Sequence, residues 1–399
     1  MATWNPSSIR HKAGLSLSDT EKEAIWNKLP RSQDGKIYAD AVFEGGGVKG
    51  TAFLGALRCC SDVGICWKKT AGASAGAITA ALVTADFDIE ELEQIIANLD
   101  FPKLLSQKTS PWIFNNNPAD DLAHSGWMLG NLMLVGKLGE YSSEPFKQWL
   151  QEILDKRLRT FNDIKDKERD LKVIVSDISR GQMLVLPDDL APDAMGEDSS
   201  QKQLLQNLKM QHPKQFSVAE AVRLSMSIPF FFEPGKLADS VIVDGGILSN
   251  FPLWLYDVNP QVHKRNQIPR WPTFGFRLVE KPDPSSQKTD YPAKIDAPSK
   301  LLIAIMRSMH VARDHYHLRK NGQGRVININ TAGVEVTKFQ LTNDDKDYLY
   351  QEGYKSTKDF LLHEWDWQKH LESRGYELAT EPNKEDKESL QPQLVTVNT

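Results

Sequence analysis

Between Lys36 and Thr84 the chain twice runs strand, glycine turn, helix, and this alternation constrains its fold more than any other feature. The first strand-like run, Lys36–Phe43 (KIYADAVF), is rich in β-formers and is followed by Gly45-Gly46-Gly47, after which helical apolar spacing extends from Val48 to Ser61. The second, Cys66–Ala71, runs into Gly72, and Ala75–Thr84, almost all small and apolar, reads as a buried helix. Strands joined by helices lie parallel, since a helical crossover brings the chain back to start again at the same edge. Leu171–Asp177, Met183–Pro187, Val241–Val243, Thr273–Leu278 and Arg325–Asn330 read as further strands, and Val218–Met226 and Lys300–Lys320 as helices. The expected fold is α/β: three layers, α/β/α, around a mostly parallel central sheet.

With 399 residues, 40% of them hydrophobic and 25% charged, the chain can fill a large core. Its net charge of −5 argues against a partner held by long-range attraction to basic protein, so no nucleic-acid polymer is expected. No run approaches the ~18 apolar residues of a membrane span, and Met1–Pro30 has no apolar core of a signal peptide. A cytoplasmic protein is expected. Cys59, Cys60 and Cys66 match neither a disulfide framework nor a zinc site, and are expected as small buried residues. Residues 1–35 read as a polar lead-in with one short helix, Ser18–Lys28, and 36–370 as the main domain. Within it the polar stretch near 188–213 reads as a surface insertion, and 371–399 as a flexible tail.

Gly72-Ala73-Ser74-Ala75-Gly76 is a Gly-x-Ser-x-Gly between a strand and a helix. A nucleophilic serine needs such a sharp turn, with glycines leaving room for strained backbone and a helix N-terminus favouring negative charge. A serine that merely caps a helix would leave the same trace. Glu44-Gly45-Gly46-Gly47-Val48-Lys49-Gly50 formally matches a dinucleotide fingerprint, but no acidic residue stands about twenty positions on, and Lys49 is followed by Gly50 rather than by the Ser or Thr of a phosphate loop. A ring of N–H donors for an oxyanion suits the three glycines better. For the base there are two candidates: a late histidine (His310, His315 or His317), or Asp244, which ends an apolar strand and is followed by Gly245 and Gly246. Asp188 and Asp189 show no calcium-loop pattern, and neither metal nor cofactor is expected.

In this order the motifs resemble the patatin-like phospholipase family: Gly45–Gly50, Gly72–Gly76, Ser225-Met226-Ser227-Ile228-Pro229 through Phe232-Glu233-Pro234, Asp244-Gly245-Gly246, and Ser249-Asn250-Phe251-Pro252. The later part resembles it only weakly, through the strand Arg325–Asn330 and a helix over Asp344–Leu362. The resemblance implies a lipid acyl hydrolase of phospholipase A or lysophospholipase type with a Ser-Asp dyad: Ser74 the nucleophile, Asp244 the general base, and the N–H groups of Gly45, Gly46 and Gly47 the oxyanion hole. Lys49 would add positive charge, and Gly50, Gly72, Gly76, Gly245 and Gly246 would support the turns. Glu44 and Lys49 depart from the usual Asp and Arg of the family. The resemblance further implies membrane phospholipid as substrate, transient contact with a membrane surface, and by analogy a small-molecule or protein activator. A triacylglycerol or carboxylester hydrolase with the same dyad, and an idle binding or scaffold protein on the same fold, are the alternatives. Pro111–Phe114 and Trp127–Leu138 read as an acyl-chain pocket, a surface that dips into a bilayer, or plain core. Phe230-Phe231-Phe232 reads as core.

Overall fold

β1 (Ile37–Phe43) is buried along nearly its whole length, as expected of a central strand covered on both faces. The computed structural model describes residues 4–104, 106–107, 139–190, 210–257, 269–280, 304, 324–334 and 340–373. In chain order its principal elements are α1 (Pro6–Lys12), α2 (Asp19–Trp26), β1, α3 (Thr51–Val63), β2 (Ile65–Ala73), α4 (Ala75–Thr84), α5 (Ile89–Ala97), β3 (Ser106–Gln107), β4 (Gly139–Ser142) and α6 (Glu144–Leu154). There follow β5 (Asp170–Asp177), β6 (Gln182–Leu186), α7 (Val218–Ser225), β7 (Phe230–Phe232), β8 (Gly235–Leu237), β9 (Ser240–Asp244), β10 (Thr273–Val279), β11 (Val326–Asn330) and α8 (Asn343–Asp359). The main sheet runs β11-β10-β1-β2-β5-β9-β8, with β6 also paired to β5.

From β11 to β5 every pairing is parallel, as the strand–helix alternation requires. β6, β9 and β8 form an antiparallel margin that the sequence reading did not separate from the parallel core. Short connections explain two of these three pairings: β8 and β9 are joined through Ala238-Asp239, and β5 and β6 by a local turn over 178–181, both too short for a helical crossover. A second small sheet, β3-β4-β7, has strands of only two to four residues, too short to leave a periodic signal in the sequence.

Side chains alternate across β1. Ala39, Ala41 and Phe43 enter a large core shared with α3 and α4, while Val42 points to the other face, covered among the described residues by Phe251, Leu253 and Tyr256. α3 ends at Gly64, left-handed at φ 85°, and α2 starts on the Ser18/Glu21 capping box. The stretch read as a polar lead-in carries two helices rather than one. It sends Trp4, Leu15, Leu17, Ile25 and Leu29 into the same core, and Trp4 donates to Asp347 at the start of α8. Leu371, placed in the tail by the sequence, is buried too. Cys59 and Cys60 are buried as expected, whereas Cys66 lies exposed on β2, its side chain pointing away from the core that its neighbour Ile65 enters. Phe231 and Phe232 are core, but Phe230 turns outward at φ 66°. Lys300–Lys320 (apart from Ala304), Pro111–Phe114, Trp127–Leu138 and 374–399 lie outside the described residues.

α3 and α8 touch through backbone. A Cβ on Gly55 would fall 1.9 Å from the Tyr350 carbonyl oxygen, and one on Gly353 would fall 1.9 Å from that of Ala52. Neither obstacle is a side chain that could rotate away. Gly353→Ala is therefore expected to lower stability by about 3 kcal/mol as the helices are forced apart, measured as a drop in urea midpoint. The solvent-facing control Gly14→Ala meets no atom but sits at φ 61°, and is expected to cost about 1 kcal/mol.

Candidate active site

Phe43 and Gly72 are register partners at the ends of β1 and β2, so the two glycine turns leave the sheet side by side at its C-terminal edge. Open α/β sheets offer their ligand crevices at that edge. Ser74 follows β2 directly and opens α4, with φ 50° and ψ −124°. A non-glycine residue holds such a conformation only where the surroundings enforce it. Here close packing does so: a Cβ on Gly72 would fall 2.3 Å from the Gly76 carbonyl carbon, and one on Gly76 would fall 2.3 Å from the Phe43 oxygen. Both glycines are required by backbone approach rather than by their own dihedrals.

Asp244 ends β9 beside β5. Its Oδ1 accepts the Gly246 N–H at 2.8 Å; its Oδ2 is buried, with no partner in full hydrogen-bond geometry among the described residues. Burial pushes the carboxyl pKa up to about 7, against the smaller opposing pulls of the Ser74 hydroxyl facing it and of the Gly246 N–H. The structure thus brings Ser74 and Asp244 together, in a contact looser than a full hydrogen bond. Gly245 is needed because a Cβ there would fall 2.1 Å from the Ile174 oxygen.

The glycine turn divides. The Gly45 N–H donates to the Asn250 carbonyl at 2.9 Å, and Asn250 Nδ2 donates back to the Gly45 carbonyl at 2.9 Å, so Gly45 is an anchor and its N–H is spent. Gly46 and Gly47, the latter at φ 55°, keep N–H groups without acceptors among the described residues. Lys49 differs from expectation: it is buried, and its Nζ meets Glu280 Oε1 at 2.6 Å, so its charge is already paired. Glu44 fastens the turn to β10, where its Oε2 accepts the Leu278 N–H at 2.6 Å. Gly50 packs against α4, a Cβ there lying 3.3 Å from that of Ala75. A small apolar cleft is lined by Ser74 together with Gly47, Val48, Ala75 and Ile78 and with Met226, Ile228 and Phe232. No histidine lines it among the described residues, which exclude His310, His315 and His317. No group of carboxylates, histidines or cysteines among them is arranged to hold a metal.

The sequence pattern of the patatin-like phospholipases matches residues 41–256, the span that contains both glycine turns, Ser74, Asp244 and the residues lining the cleft, though not Leu278 and Glu280. The chain belongs to the patatin-like phospholipase family. Such membership makes it a phospholipase-type lipid ester hydrolase. An uncharacterised protein of Bacillus subtilis (strain 168), YqhO, is 33% identical over 330 residues, 82% of this chain and 98% of that one. Protein R571 of Acanthamoeba polyphaga mimivirus is 23% identical over 349 residues, 84% of this chain and 98% of its own. Among solved structures, VipD from Legionella pneumophila superposes with a TM-score of 0.47 at 18% identity, over 84% of this chain and 70% of VipD. ExoU of Pseudomonas aeruginosa, solved with SpcU, gives 0.38 at 14%, over 81% of this chain and 53% of that one.

Asn250, Glu280, Ser225 and Ser227 were not singled out from sequence as site residues. Only the first, third and fourth left a signal, inside the motifs that carry the family likeness. A stability signature follows from Asp244. Its folded pKa of about 7 lies above the usual ~3.9 of an unfolded chain. Between roughly pH 4 and pH 7 the folded state therefore holds the proton more tightly, and stability falls as pH rises through that window. Asp244→Asn, neutral at every pH, is expected to match wild type near pH 4 and to exceed it at pH 8 by on the order of 4 kcal/mol. Thermal melts of both proteins across pH 4–8 measure the difference.

Proposed function

We propose that the protein hydrolyses fatty-acyl esters of membrane phospholipids through an acyl-serine intermediate formed on Ser74. The observation that carries this reading is the placement of one strained serine, at the N-terminus of a helix, against one buried carboxylate whose pKa is raised to about 7. Asp244 takes the Ser74 proton as Oγ attacks the ester carbonyl. The charge that develops on the carbonyl oxygen meets the Gly46 and Gly47 N–H groups and the positive end of α4. Collapse of the tetrahedral species expels the alcohol, which takes the proton from Asp244. A water then loses a proton to the same carboxylate and attacks the acyl-enzyme; collapse breaks the acyl–Oγ bond, Ser74 Oγ takes the proton back from Asp244, and the fatty acid is released. Asp244 performs both transfers without histidine because its dry setting supplies the basicity that a carboxylate in water lacks. The apolar cleft of Ile78, Met226, Ile228 and Phe232 suits an acyl chain. Membrane contact fits a substrate of this kind. Among the described residues no helix is long and apolar enough to cross a bilayer.

Fatty-acid release from mixed phosphatidylcholine–phosphatidylglycerol vesicles tests the reading, with and without cell extract as a source of activator. Ser74→Ala and Asp244→Asn are each expected to lose at least about 10³-fold in rate. Release from triacylglycerol emulsions but not from vesicles would assign the same dyad to neutral lipid. Undiminished release by Ser74→Ala would end the proposal. In the active wild type kcat/KM should rise with pH to a plateau, with its midpoint near 7, as the Asp244 carboxylate forms.

A further inference from the structure

A nucleophile and a base drawn from distant parts of a chain must be held to roughly half an ångström of their productive separation. One short segment touches both. Ser225, the last residue of α7, is fully buried. Its Oγ accepts the Ser74 N–H at 2.9 Å and donates to the Ile174 carbonyl at 2.6 Å. Two residues on, the Ser227 carbonyl accepts the Asp244 N–H at 2.9 Å, and the Ser227 hydroxyl ties back to the Arg223 carbonyl at 2.9 Å. The Ile174 carbonyl that takes the Ser225 hydroxyl is also the group against which Gly245 packs. A serine near the end of a helix ordinarily bonds a carbonyl of its own preceding turn, as Ser227 does. Ser225 instead reaches across to two other elements, one of them the Ser74 turn, the elbow between β2 and α4.

We infer that Ser225 is a positioning residue for the acyl transfer: its hydroxyl fixes the strained backbone of Ser74 to the same segment whose Ser227 carbonyl fixes Asp244, so that both reacting groups share one reference. The inference rests on the proposed roles of Ser74 and Asp244. Without the hydroxyl the elbow loses its acceptor and can relax from φ 50° toward an ordinary helix start, carrying Oγ away from the carboxylate and from the Gly46 and Gly47 N–H groups. The apolar walls of the cleft would stay where they are. Substrate would still bind, and the chemical step would slow.

The test compares wild type, Ser225→Ala, Ser225→Thr and Ser74→Ala. Covalent labelling by a fluorophosphonate, located by peptide mass, reports the nucleophile. Hydrolysis of p-nitrophenyl butyrate across pH 5–9 gives kcat and KM, and hydrogen exchange of the peptides covering 70–78 and 240–248 reports the two backbones without requiring turnover. Ser225→Ala is expected to label and turn over about 10²-fold more slowly, with KM within about threefold of wild type. The midpoint of its pH profile should move up, because the Ser74 hydroxyl no longer faces Asp244, and both peptides should exchange faster. Ser225→Thr should recover at least about a tenth of the wild-type rate. Labelling of Ser225→Ala within about threefold of wild type overturns the inference, as does unchanged exchange in residues 70–78, or a loss that a stably folded Ser225→Thr does not recover. Wild type that labels at no serine, or Ser74→Ala as active as wild type, overturns the dyad and the brace together. Ser74→Ala silent beside a fully active Ser225→Ala overturns the brace alone.

Discussion

The backbone of α4 lies directly against the carbonyl end of β1, and the site depends on that contact. Gly76 meets the Phe43 oxygen where any other residue would put a Cβ, and Gly72 meets Gly76 in the same way. This closeness forces Ser74 out of ordinary dihedral space and brings the first turn of α4 beside the glycine turn that follows β1. Separation of the two elements by even the width of a methyl group would relax the serine and move it from the Gly46 and Gly47 N–H groups together. The geometry is set by backbone on backbone, which has no rotamers through which to give way.

Burial of Asp244 is the second constraint. A carboxylate left in water is too weak a base to draw a proton from serine near neutral pH, while one fully stripped of partners would stay protonated. The structure sits between these limits. One oxygen keeps the Gly246 N–H, the Ser74 hydroxyl faces the group, and the remainder is dry. The fold carries an unfavourable charged state near neutral pH and is held by its core regardless, in line with the general cost of functional sites to stability.

What was legible in the sequence is what backbone geometry demands locally. Gly72, Gly76 and Gly245 are glycines for reasons that reach no further than a neighbouring strand, and a strand–turn–helix run announces them. The parallel part of the sheet followed from the same alternation. The choice of partners was not legible, because it is made by residues remote in sequence. Gly45 and Gly46 look equivalent in the chain. They part only because Asn250 takes the N–H of one. Lys49 reads as a free positive charge beside an oxyanion until β10 brings Glu280 to it. The N-terminal stretch reads as polar because its apolar residues are spread singly along it, yet Trp4, Leu15, Leu17, Ile25 and Leu29 each find a place in the core. A spaced pattern of that kind is recognisable only once the surface that receives it is known.

The segment from Ser225 to Phe232 serves two purposes at once. Ser225 and Ser227 hold the backbones of Ser74 and Asp244, while Met226, Ile228 and Phe232 wall the cleft over the serine. On the proposed reading, the surface that receives the acyl chain and the frame that registers the dyad are one piece of chain, with alternate residues turned to each task. The two properties are then coupled mechanically. A larger side chain at position 226 or 228, introduced to shorten the pocket, presses on the hydrogen bonds at 225 and 227 and so disturbs the separation of nucleophile and base. Fatty-acyl preference in such a site cannot be retuned on this wall without a change in rate, and Ile78 is tied to the frame as well, since its N–H donates to the Ser74 carbonyl at 3.3 Å.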